Sequence, residues 1–280
     1  MTPPVVHGPG DFEIELPLLL DAIYQRYHYD FRRYARATLK RRLNAAMTRF
    51  DCRSLSQLQD RLLHEPTVFP VLLDYLTVQL SDLFRDPNYF KVLRENVVPR
   101  LRTYPSLKFW VAGCSTGEEA FSFAILLHEE GLLDRSLIYA TDINVGALER
   151  AQNARYDVER IAGFTENHRL SGGKSSLSDY YSAAYGGAVM NKFLRDKIVF
   201  SDHSLATDSV FAEVHLVSCR NVLIYFDSAL QERAVGLFHD ALTRKGILGL
   251  GAKESLRFSA YRGSFSALAP VERIFQKETE

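Results

Sequence analysis

The chain has 280 residues, 46% of them hydrophobic, which is enough for a core in each of about two domains and too many for a chain dominated by disorder. Lys plus Arg and Asp plus Glu number 34 each, so the formal net charge is zero, and a surface built throughout to coat nucleic acid or anionic lipid is excluded. Cys52, Cys114 and Cys219 lie far apart and make no disulfide framework; there is no basic and apolar leader, and no apolar run nears the roughly 18 residues of a membrane span, so a cytoplasmic location is expected.

Phe31, Ala35, Leu39, Leu43, Ala46 and Phe50 share one side at ~100° per residue, which predicts an amphipathic helix over 31–50. Further helices are predicted over 55–64, 68–83 and 89–101, punctuated by Pro66, Pro87 and Pro105. Residues 1–104 therefore read as an N-terminal helical domain and linker, and 105–280 as a second domain. There β-rich runs alternate with helical ones: LKFWVA, GEEAFSFAILLHEEG, SLIYATDI and NVGALERAQNARY, the pattern of βαβ units around a parallel sheet. KIVF, VHLVS and GILGLG supply more strands, and Ala229 to Thr243 a crossover helix. Between about 157 and 196, Gly163, Gly172-Gly173 and Gly186-Gly187 punctuate the chain, which predicts a small inserted β-hairpin subdomain.

The first chemical signal lies around Gly113. An apolar strand runs into a loop of small residues, Gly113 to Gly117, and then into a helix with Glu118 and Glu119 in its first turn. About 25 residues after Gly117, the next strand ends in Asp142, where a carboxylate can accept from both hydroxyls of a ribose. Together these describe an adenosine site. The GxGxxG of dinucleotide binders is absent, and two carboxylates at the helix start repel a pyrophosphate, so an adenosyl ligand without phosphate, such as S-adenosylmethionine, fits better. First-turn glutamates that merely stabilise the helix dipole are the plainer account. Gly113-Cys114-Ser115-Thr116-Gly117 also matches the G-x-S-x-G elbow of hydrolases, but the upstream chain is helical and no histidine after Ser115 has an evident triad context.

The second signal is VHLVSCRNVLIYF, a strand followed by a polar turn. Ligands of open α/β sheets bind at the carboxyl ends of strands, so Arg220, Asn221 and Tyr225 are expected to project into the same cleft as Gly113 and Asp142.

SDLFRDPNYF, AGCSTGEEAFSFA, ATDIN and SCRNVLIYF, in that order behind a helical domain, resemble the chemotaxis receptor methyltransferases, the CheR family of protein-glutamate O-methyltransferases. The resemblance runs from about Phe31 to the C-terminus. It implies a class I S-adenosylmethionine-dependent methyltransferase (Rossmann-like) α/β sheet, an N-terminal all-helical domain and a small inserted antiparallel β-subdomain. It also implies S-adenosylmethionine as methyl donor, S-adenosylhomocysteine as product and a receptor glutamate as acceptor, with no metal. Carried over by motif, Gln79, Ser81, Arg85, Gly113, Ser115, Gly117, Glu119, Asp142, Ser204, Leu205, Arg220 and Asn221 are the donor contacts, and Arg85 and Tyr225 stand closest to methyl transfer. Gln79, Ser81 and Leu83 replace the Asn, Thr and Phe of many members, and Ser204-Leu205 replaces Asn-Leu. A non-catalytic donor-binding module and a methyltransferase with another acceptor are the alternatives.

A glutamate side chain with a pKa of about 4.3 is already a nucleophile at neutral pH, which accounts for the lack of an evident catalytic base. Partner recognition is expected from the basic stretch 31–50, where Arg32, Arg33, Arg36 and Lys40 fall within a ~100° arc suited to the acidic helices of a methyl-accepting receptor. A solvated helix face is the plain alternative. Tyr180, Tyr181 and Tyr185 could add a docking strand. No nucleic acid or membrane insertion is expected, and the chain is expected to act as a monomer.

Overall fold

The computed structural model describes residues 9–184 and 186–278, so Tyr185 lies outside the described residues. Contacts group the chain into two units, one running to Val78 and including Tyr225–Gln231, the other comprising Gln79–Ile224 and the chain from Glu232.

The first unit holds α1 (Pro9–Tyr27), α2 (Arg36–Arg49), α3 (Leu55–His64) and α4 (Val68–Leu76). Leu19, Ile23, Leu39, Leu43, Leu58, Leu62 and Leu72 meet in its core, all inaccessible to solvent or nearly so. Ser54 caps α3 by accepting from the Gln57 N–H at 3.2 Å. Two boundaries differ from the periodicity. Residues 31–35 are not helical, because the Ala35 N–H donates to the Tyr225 carbonyl at 2.8 Å and Tyr34 pairs with Phe226 as an isolated bridge. Arg32 and Arg33 therefore precede the helix instead of sharing its face with Arg36 and Lys40. Helix α4 stops at Leu76, since Thr77 is extended and Phe84 and Asp86 take positive φ of 52° and 57°.

In the second unit, α5 (Pro87–Val92), a π turn (Leu93–Val97) and α6 (Val98–Leu101) lead into β1 (Leu107–Ala112), α7 (Glu118–Glu129), β2 (Ser136–Asp142) and α8 (Val145–Asn153). Then come β3 (Arg155–Asp157), α9 (Val158–Leu170), β4 (Tyr181–Ala184), β5 (Gly187–Met190), α10 (Lys192–Arg195) and β6 (Ile198–Asp202). The chain finishes with β7 (Val214–Cys219), α11 (Ser228–Ala241), β8 (Leu242–Leu250), β9 (Phe265–Ala269) and β10 (Ile274–Lys277). Seven strands form one sheet in the order β6-β2-β1-β7-β8-β10-β9, parallel from β6 to β8 and antiparallel beyond. That is a doubly wound α/β sheet, and its order reverses between β1 and β7.

The helices from Pro87 onward belong to the sheet, although their sequence pattern is that of the leading helices. Phe90 explains why: its ring lies 5.1 Å from Phe84 and 5.5 Å from Phe123 of α7, in a cluster that continues to Phe109 of β1. Trp110, at the centre of β1, is fully buried, with its indole N–H donating to Thr141 Oγ1 at 2.9 Å.

The inserted segment is a three-stranded antiparallel sheet, β3-β5-β4, plus the thirteen-residue α9, where the glycine spacing predicts only a hairpin. Gly163 sits within α9 with nothing near its missing Cβ, a helical glycine and not a turn. A buried ion-pair network ties the insertion to the end of α7: Glu129 takes Arg94 and His168, and Glu130 takes Arg94 and Lys174.

Candidate functional site

The loop after β1 folds around its own amides. Gly113 N–H and Cys114 N–H both donate to the Thr141 carbonyl at 2.8 Å, Gly117 N–H donates to the Cys114 carbonyl at 3.0 Å, and Ser115 N–H donates to Asp142 Oδ2 at 2.8 Å. With these four donors used internally, the loop is no phosphate cradle. Gly113 has φ +74°, and a Cβ there would stand 2.4 Å from Val222 Cγ2, so the position admits only glycine. Ser115 Oγ donates to Gln79 Oε1 at 2.8 Å and to no histidine among the described residues, which leaves the hydrolase reading without support. Cys114 and Cys219 are buried, and burial pushes both thiols well up, away from nucleophile chemistry.

Asp142 ends β2 beside the switch point. Its other oxygen, Oδ1, accepts the Asn144 N–H at 2.9 Å, while Asn144 Oδ1 caps α8 by accepting from Ala147 N–H. Burial pushes the Asp142 carboxyl up, and the N–H groups of Asn144, Ser115 and Ile143 pull it back. The four lone-pair sites of the carboxylate exceed these three N–H donors, which leaves acceptor capacity for a ribose hydroxyl. Ser204 and Leu205 follow the neighbouring strand, where the His203 N–H donates to the Asp142 carbonyl at 3.3 Å.

At the end of β7, Arg220 is the hub. Its Nη1 donates to Glu119 Oε2 at 2.9 Å; its Nη2 donates to Asp86 Oδ2 at 2.7 Å and to the Arg85 carbonyl at 3.0 Å. Glu119 also accepts from Ser218 Oγ at 2.6 Å. Asn221 takes a positive φ of 61°, held by a residue that the sequence reading missed: Glu254 accepts the N–H of Asn221 at 3.1 Å, Val222 at 2.9 Å and Gly251 at 2.6 Å. No local motif announces Glu254; its partners Asn221 and Val222 lie more than thirty positions upstream.

The expected donor contacts thus form one connected set within the second unit. Ser81 joins it through Arg160, which donates to the Ser81 carbonyl, to Asp82 at 3.2 Å and to Glu118 at 2.9 Å. Arg85 is half-buried; its Nη1 donates to the Leu80 carbonyl at 3.1 Å and pairs with no carboxylate among the described residues. Both acids that could neutralise it have other partners, Asp82 with Arg160 and Asp86 with Arg220. Tyr225 falls in the first unit, its ring 4.5 Å from the Arg42 guanidinium. There too lie Arg32, paired with Asp30 and Asp21, Arg33 with Asp227, Arg36 with Glu13, and Lys40 over the Phe12 ring.

Two buried polar atoms at the connected set have no partner among the described residues, Arg220 Nε and His203 Nδ1. An unsatisfied buried donor beside Glu119, a carboxylate with remaining acceptor capacity at Asp142 and a loop closed to phosphate suit a ligand carrying a carboxylate, an ammonium and a ribose, which is the inventory of S-adenosylmethionine.

The sheet order is that of a class I S-adenosylmethionine-dependent methyltransferase. Family models sharpen the class: the CheR methyltransferase all-alpha domain matches residues 14–77, and the CheR methyltransferase SAM binding domain matches 79–268. The chain belongs to the CheR methyltransferase family. Cher3 of Pseudomonas putida is 56% identical over 95% of this chain and 97% of its own length. A chemotaxis protein methyltransferase of Listeria innocua is 28% identical over 89% of this chain and 92% of its own. Among solved structures, a glycopeptide N-methyltransferase complexed with sinefungin aligns with 61% of this chain and 50% of that one, at 13% identity and a TM-score of 0.37. Among the described residues no helix is long and apolar enough to cross a membrane.

Proposed function

We propose that the protein transfers the methyl group of S-adenosylmethionine to glutamate side chains of a chemoreceptor or related signalling protein, giving glutamate 5-O-methyl esters and S-adenosylhomocysteine. The observation that carries this reading is Arg85: a half-buried guanidinium, on the segment with Gln79 and Ser81, whose neighbouring carboxylates are both held by other arginines. Its planar fork remains available to grip an incoming carboxylate.

When bound, the donor supplies an electrophilic methyl on a cationic sulfur. The protein's part is positioning. Asp142 is proposed to accept from the ribose hydroxyls, with Ser204 and Leu205 beside it, and Glu119, Arg220 and Asn221 to hold the amino-acid end, while Gly113, Ser115 and Gly117 let the backbone approach closely. Arg85 aligns the acceptor oxygen within about 3 to 3.5 Å of the methyl carbon, and no base is needed because that oxygen is already ionised. Tyr225 is proposed as a second contact to the acceptor, its ring steadied by Arg42.

Acidic receptor helices are proposed to meet Arg32, Arg33, Arg36 and Lys40. The intramolecular pairs of these arginines are exposed, worth about 0–1 kcal/mol each, so they can exchange for receptor carboxylates. Incubation with labelled donor and candidate receptors tests the proposal. Base-labile label on receptor glutamates is expected; label that survives alkali, or donor binding without transfer to any protein, overturns it.

A further inference from the structure

We propose that Arg160 is a positioning residue of the methyl-donor site, tying the glycine loop to the segment that carries Gln79, Ser81 and Arg85. The inference rests on the reading of those residues as donor contacts. Arg160 belongs to α9 in the inserted segment, outside every motif that marks the family resemblance. Its Nη1 donates at 2.9 Å to Glu118, the first residue of α7, whose side chain is wholly inaccessible to solvent. Its Nη2 donates to the Ser81 carbonyl and, at 3.2 Å, to Asp82. The guanidinium stacks 4.7 Å over the Phe164 ring one turn further along α9, which fixes its orientation.

Both ends of this tie continue into the site. Glu118 accepts from Thr116 Oγ1 at 2.9 and 2.7 Å, and the Thr116 carbonyl accepts from Tyr156 Oη at 3.0 Å, so the loop residue between Ser115 and Gly117 is held from two sides. On the other segment, Asn167 of α9 donates to the Leu83 carbonyl at 3.1 Å, and Arg220 fastens the Arg85 carbonyl. The stretch from Gln79 to Asp86 has no regular secondary structure, so side chains reaching in from α9 and β7 set its path. Glu118 has no other cation among the described residues, so loss of Arg160 leaves a buried charge uncompensated and frees the Ser81 carbonyl at the same time.

The test is calorimetric titration of the full chain with S-adenosylhomocysteine, alongside thermal melts, for the unaltered protein, Arg160→Gln, Arg160→Lys and the Glu118→Gln/Arg160→Gln pair. Arg160→Gln should weaken binding about tenfold or more, as expected when contacts are displaced by a fraction of an ångström. Arg160→Lys should recover only part, because one ammonium cannot span both carboxylate and carbonyl. The pair should restore the melting temperature, its buried charge being gone, while affinity stays low. Unchanged affinity in Arg160→Gln, or full recovery of affinity in the pair, overturns the inference. Failure of the unaltered protein to bind S-adenosylhomocysteine would instead overturn the donor-site reading.

Discussion

Arg220 and Glu119, from the end of β7 and the first turn of α7, form a buried ion pair at 2.9 Å, with the Arg220 side chain only 2% exposed. The same guanidinium lies 4.1 Å from the Tyr89 ring centroid and reaches Asp86 and the Arg85 carbonyl. One arginine thus fixes both the helix that opens after the glycine loop and the segment bearing Arg85. Glu119→Gln keeps the shape and removes the charge; donor affinity should fall at least ~10-fold, since breaking a buried pair costs about 2–5 kcal/mol. Titration calorimetry reads this, and an unchanged dissociation constant counts against a donor role for Glu119.

Arg85→Ala should separate binding from transfer. Among the described residues its guanidinium makes a single hydrogen bond, to the Leu80 carbonyl, so the fold should hold within about 0.5 kcal/mol. Donor affinity should change little, while kcat drops about 100-fold or more through loss of acceptor alignment. Near-normal turnover removes Arg85 from the mechanism.

Asp142→Asn is close to isosteric yet cannot accept on both sides. The amide NH2 must face either the Ser115 or the Asn144 N–H, and a buried donor is left unpaired at a cost of about 1–3 kcal/mol. The melting temperature and donor affinity should fall together; a variant with both intact is inconsistent with this geometry.

Glu254→Gln repeats the argument at the opposite rim. Three backbone N–H groups converge on its carboxylate, and burial pushes its carboxyl up while those donors oppose the shift. The glutamine variant loses one acceptor, and the turn holding Asn221 at positive φ should loosen. Faster amide exchange at Asn221 and Val222, with weaker donor binding, is the expected result.

Acid stability offers a test away from the site. Burial alone would raise the Glu129 carboxyl, but the hydrogen bond from His168 and the charge of Arg94 bring it down to about 2. A folded-state pKa below the unfolded one stabilises the native state above the ordinary glutamate range, and that contribution fades as pH falls from about 4.5 toward about 2. The full effect is on the order of 3 kcal/mol. The gap in unfolding free energy between the unaltered protein and Glu129→Gln should therefore narrow on acidification across that window.

The parallel strands were legible because strands buried on both faces read as predominantly apolar runs: LKFWVA and VHLVS, each broken by a single polar residue, announce β1 and β7. The candidate donor site was legible because small residues and acids cluster at the ends of those strands. What stayed hidden depends on distant pairing. Phe31 continues the apolar stripe of α2, yet Ala35 and Tyr34 bond to Tyr225 and Phe226, and that bridge overrides local helical preference. Helix α1 carries Pro17 within it and escaped the helical pattern; β9 and β10, short and partly exposed at the antiparallel end of the sheet, lack a core strand's signature. Glu254 and Arg160 act on backbone and carboxylates remote in sequence, so no spacing rule flags them.

Trp110 is the sole tryptophan of the chain, sealed inside β1 of the sheet-bearing unit. Intrinsic indole emission therefore follows melting of the sheet while the leading helical bundle stays optically silent, whereas far-ultraviolet circular dichroism sums the two. Recording both on one denaturant series tells whether the bundle and the sheet unravel in a single step or in succession, with no label attached.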